Sequence, residues 1–86
     1  MPVVAQMPGR IRVLLPYNDH DPPHFHVEGP GVAALLRLAD LSLLRGSLGP
    51  RDLVMVRDWA RAHQAELALN WVLARAKFDL REIPFP

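Results

Sequence analysis

The chain contains no cysteine, which excludes a disulfide framework and any thiolate metal site. No window approaches the ~20 apolar residues needed to span a bilayer, so no membrane association is expected. Met1 to Gln6 lack the basic start and long apolar run of a secretory leader, and a cytoplasmic location is the expectation. Strong charge of one sign is also missing. The net charge is +1 and the pI about 8.4, below the ~9 that marks a nucleic-acid-binding domain. Repeats and low-complexity tracts are absent, and 86 residues leave no room for a second core. What remains is one globular domain, residues 1–86, with 50% hydrophobic and 22% charged residues. A core this thin often leans on a partner or on a second copy of the chain.

What the chain does have falls into two halves. Val3 to Ala5 and Arg10 to Leu15 are β-prone runs divided by the turn signal MPGR. Ile11, Val13 and Leu15 alternate with Arg10 and Arg12, so one face turns inward. HFHVE, residues 24–28, alternates likewise, with Phe25 and Val27 opposite His24, His26 and Glu28. GPG at 29–31 reverses the chain into VAALLRLAD, read as a strand, and LSLLRG adds another short one. From Pro50 the period changes. Leu53, Val56, Ala60, His63, Leu67, Trp71, Ala74 and Phe78 recur every three or four residues, which predicts one long amphipathic helix over 50–78; a break near His63–Gln64 is the alternative, but the apolar phase runs through it. Pro50 suits its first turn and Asp52 its positive end; at about 1.5 Å per residue it would run ~40 Å. The prolines of REIPFP end it and make 79–86 an extended strap. The expected fold is α+β: residues 1–48 form a small antiparallel sheet of three to five short strands, packed against that helix.

The chemistry concentrates in YNDHDPPHFHVEG, residues 17–29, which holds three of the four histidines. His24 and His26 stand two apart on a strand, so their rings leave the same face about 7 Å apart at the backbone. His-x-His on a strand offers two imidazoles to one divalent metal ion, with Asp19, His20, Asp21 or Glu28 to complete the shell. Pro22-Pro23 restricts the connector and holds His20 in fixed relation to the strand. The same rings can instead exchange protons near neutral pH, with Arg10 and Arg12 holding a phosphate, as RNA cleavage by His20, His24 and His26 requires. A third reading is structural: Asp-His-x-Pro-Pro is turn chemistry, and the rings bond to nearby carbonyls.

The helix carries a second apolar stripe, Met55, Ala62, Leu69 and Leu73, nearly opposite the first. A helix on one sheet cannot bury both, so the stripe predicts a dimer interface or a partner's groove, unless the strap or the loop near Asp40 covers it. Along one edge His63 and Glu66, three apart, can pair; with Tyr17, Arg10 and Arg12 they could border the histidine face and join His24 and His26 in one polar pocket. Basic and acidic residues interleave on this helix, which gives no recognition-helix signal for DNA.

Asn18-Asp19-His20, Pro22-Pro23, His24-Phe25-His26-Val27, preceded by RIRVLLPY and followed by a leucine-rich run and a tryptophan-bearing helix, resemble the small bacterial domain-of-unknown-function family 4160. Its hallmark is a [ND]-H-x-P-P-H-[FI]-H-V segment. The resemblance implies a shared fold and a gene often paired with that of a second small protein, a context suspected of toxin–antitoxin character. It supplies no catalytic residue. The expected function class is a toxin–antitoxin-type interaction module binding a small cognate protein, with the histidine segment as its ligand or active surface. The alternatives are a histidine-dependent RNase-like hydrolase and a divalent-metal-binding regulatory domain.

Overall fold

Turn chemistry sets the sheet. Gly9 (φ 82°) and Arg10 (φ 60°) occupy the left-handed region that a tight reversal needs, and they join β1 (Val3–Met7) to β2 (Ile11–Leu14). Pro30 and Gly31 (φ 67°) join β3 (His24–Gly29) to β4 (Val32–Arg37). Before β5 (Leu43–Ser47), Asp40 Oδ1 accepts the Ser42 backbone N–H at 3.0 Å and its hydroxyl at 2.7 Å, a side-chain turn that replaces a backbone one. The computed structural model describes residues 1–86. All five strands pair antiparallel in the order β1-β2-β3-β4-β5, so sheet order is chain order.

Cross-strand partners share a face, and the register therefore sorts the side chains. Val13 opposes Val27, which opposes Ala34, and Phe25 opposes Leu36. These join Val56, Trp59, Ala60, Leu67 and Trp71 of the helical layer in one buried core. The other face carries the row Val3, Leu14, His26, Leu35, Arg45, one residue from each strand. Alternation within HFHVE thus puts Phe25 and Val27 under the helices and His26 and Glu28 on the far side, while the His24 ring, at the start of the strand, lies against Trp71 of the helical layer.

The single helix expected over 50–78 is two: α1 (Pro50–Ala62) and α2 (Gln64–Arg75). His63 leaves the helical region (φ −118°, ψ 25°) and serves as the last cap of α1 and the first of α2. Its ring and Gln64 explain why. His63 Nδ1–H donates to Glu66 Oε1 at 2.6 Å and Nε2–H to the Pro86 carbonyl at 3.2 Å, while Gln64 donates to the Leu38 and Ala39 carbonyls. One non-helical residue breaks the axis without breaking the apolar phase, so Val56, Ala60, Leu67, Trp71 and Ala74 still bury while Phe78, past the break and past α2, lies exposed. No helix is long and apolar enough to cross a membrane.

Residues 79–86 form the expected strap. Fully buried Asn70 holds the Arg81 carbonyl and amide at 2.8 Å each, Trp59 donates to the Pro84 carbonyl, and the Ile83 amide reaches Val4 O at 2.8 Å. The strap therefore links both helices to β1.

Candidate metal centre

The loop between β2 and β3 is docked on α2: the Asn18 amide donates to Ala74 O, and Arg75 pairs with Asp21 at 3.1 Å. This places Asp19 over the start of β3. Asp19 Oδ1 accepts the His20 backbone N–H at 2.8 Å, while Oδ2 stands 3.1 Å from His24 Nε2. That backbone donor above all, with His24 and His20 adding to it, holds the Asp19 carboxyl below its usual range, so it is ionised at neutral pH.

His24 is buried, with its ring centroid 5.1 Å from that of Trp71 and 5.4 Å from that of His26. Its Nδ1–H donates to the Pro22 carbonyl at 2.8 Å. That fixes the ring and turns Nε2 toward Asp19, the arrangement in which an imidazole bonds a metal through one nitrogen and a carbonyl through the other.

His26 differs. Its Nε2 is sealed from solvent and has no hydrogen-bond partner. An orphan of this kind in a native interior calls for an explanation. Burial above all, and then the neighbouring His24, depress its protonation, so the ring is neutral at pH 7 with a lone pair to offer. One ligand atom from each of Asp19, His24 and His26 lies within 4.8 Å of the others. Two ligands on a tetrahedral ion stand about 3.5 Å apart, given bonds of about 2.1 Å, so small side-chain rotations close the set. Two imidazoles and a carboxylate suit zinc, iron(II) or another borderline divalent ion.

The remaining predicted site residues fall elsewhere. The His20 side chain is 97% exposed and 4.0 Å from Asp19 Oδ1, outside the cluster. Glu28 shares the open face but is engaged by Arg12 at 3.2 Å. Arg10 lies in the β1–β2 turn, and Tyr17 is exposed. His63 and Glu66 do pair, yet they face Trp59 and the strap on the helical layer, so the shared pocket with His24 and His26 does not form. Of the second stripe, Met55 and Ala62 line a cleft with Phe85 and Pro86, whereas Leu69 is 42% exposed and Leu73 half-buried. Sequence reasoning missed Trp71 as the wall behind His24. It also missed Arg45, which reaches the histidine face only through strand register.

Comparison with known proteins gives one match. A family model described as a domain of unknown function, DUF4160, covers residues 11–72, from the start of β2 to Val72 in α2. No curated protein and no solved structure matches the chain.

Proposed function

Since the chain belongs to the domain-of-unknown-function family DUF4160, whose description names no activity, we propose from its own geometry that it is a small divalent-metal-binding domain, with Asp19, His24 and His26 as ligands. The observation that carries this is the buried, unpartnered Nε2 of His26 beside an ionised carboxylate and a second imidazole whose far nitrogen is already tied down. A divalent ion would satisfy all three groups. Acid–base cleavage of RNA is less well supported, because both His24 nitrogens are engaged and Arg12 is paired with Glu28.

The test uses protein purified without a histidine tag. Zinc titration should give one equivalent bound, and cobalt should give visible absorption of a low-symmetry site. Asp19→Ala and His26→Ala should each weaken zinc at least about tenfold, whereas His20→Ala, on a fully exposed ring, should not. Wild-type protein that binds no stoichiometric zinc, cobalt, nickel, manganese or iron(II) ends this reading.

A second reading has its own support. Leu69 and Val72 of α2, three apart and 42% and 62% exposed, form an apolar patch of the kind that receives a partner. On this reading the chain also docks a small cognate protein, of toxin–antitoxin type, or a second copy of itself. Light scattering on the chain alone and mixed with the adjacent gene's product tests it; Leu69→Glu should abolish any complex.

A further inference from the structure

The row of residues that contains His26 does not stop at the ligand cluster. His26, Leu35 and Arg45 are direct cross-strand neighbours on β3, β4 and β5. With strands about 4.8 Å apart, His26 and Arg45 lie about 10 Å apart at the backbone. Between them, Ala33, Ala34, Leu35 and Gly46 line an open hollow of about 310 Å³ that His26 and Arg45 also border, at the small end of the range for ligand sites. The Arg45 side chain, like those of Arg10, Arg51 and Arg81, makes no ion pair and no hydrogen bond within the protein, whereas those of Arg12, Arg37, Arg57, Arg61 and Arg75 do. His26 makes no hydrogen bond through either nitrogen; Nε2 is sealed, and the residue borders the hollow.

From these neighbours we infer that the hollow binds a small carboxylate with a short aliphatic body. The guanidinium of Arg45 takes the carboxylate in a two-pronged bond, Leu35 and Ala33 carry the aliphatic part, and the Nδ1–H of His26 closes the carboxylate's near side. The role of His26 rests on the metal reading: with Nε2 turned to the ion as a ligand, the ring's hydrogen sits on Nδ1. An acceptor on that hydrogen makes the imidazole a stronger ligand, so carboxylate and metal favour each other's binding, and by equal factors.

Butyrate is the probe and butyramide its uncharged counterpart. In zinc-loaded protein, butyrate should shift the amide resonances of Ala33, Ala34, Leu35 and Gly46, more strongly than acetate does, and butyramide should leave them in place. Arg45→Gln should weaken butyrate at least tenfold while leaving zinc affinity without butyrate unchanged. Saturating butyrate should tighten zinc several-fold in the wild type and not in Arg45→Gln. Equal shifts from butyrate and butyramide, or equal butyrate affinity in wild type and Arg45→Gln, overturn the inference. Failure of the metal reading looks different: no zinc is taken up, with or without butyrate. Retained amide spectra in Arg45→Gln, an exposed position on β5, separate loss of binding from loss of fold.

Discussion

His26 is the residue at which stability and chemistry pull apart. A buried nitrogen without a partner costs about 1–3 kcal/mol, and in the metal-free protein His26 Nε2 carries that cost. His26→Leu should therefore raise the unfolding free energy of the apo protein by about 1 kcal/mol, measured by chemical denaturation, while it removes zinc binding. The same residue governs the acid limb. Its protonation is depressed in the fold by burial and by His24, so the unfolded chain takes up the proton first. Stability falls as pH drops below the unfolded value of about 6.5, and the fall should be shallower in His26→Leu. At this scale much was legible. Alternation in HFHVE brought the two imidazoles together, and Asp19 was among the acids within reach. The exposure of His20 was not legible, because it depends on Asp19 bonding the His20 backbone and leaving the ring outside.

Among the elements, β5 and the break between α1 and α2 depend on single residues. Gly46 (φ 78°) lies so close to β4 that an added Cβ would meet Ala33 O at 2.0 Å. Gly46→Ala should cost more than about 2 kcal/mol and free β5 from the sheet, seen as faster amide exchange in β5 than in β2. At the break, the Glu66 carboxylate, with help from the Pro86 carbonyl, raises the protonation of His63. A group raised in the fold stabilises fully below its unfolded value and loses that contribution as pH rises through the folded one. The melting-temperature gap between wild type and His63→Ala should therefore be widest below the unfolded value of about 6.5 and narrow as pH rises above it. Periodicity could not reveal this break. A one-residue kink without glycine or proline leaves the apolar stripe in phase, and the bonds that stabilise it come from Gln64 and from residue 86, far along the chain.

For the molecule as a whole, the decisive polar residue is Asn70, fully buried and bonded twice to the Arg81 backbone. Asn70→Ala leaves an amide and a carbonyl unpaired beneath the strap and should cost about 2–4 kcal/mol; thermal melting and proteolysis of residues 79–86 measure it. The layered α+β plan was readable from the switch of period at Pro50, and the strap from its prolines. The face Arg45 occupies was not, since it follows from the pairing of β5 with β4 and from a bulge between Leu35 and Leu36. A meander whose strands pair only with their predecessors also shapes how the polypeptide finds its form. Each hairpin can zip onto the one before it, so the sheet itself spends little loop entropy; the long loops close when Asn18 meets Ala74 and, widest of all, when the Ile83 amide meets Val4. That late meeting turns an open ribbon into a closed ring, and unfolding should begin where the ring was fastened.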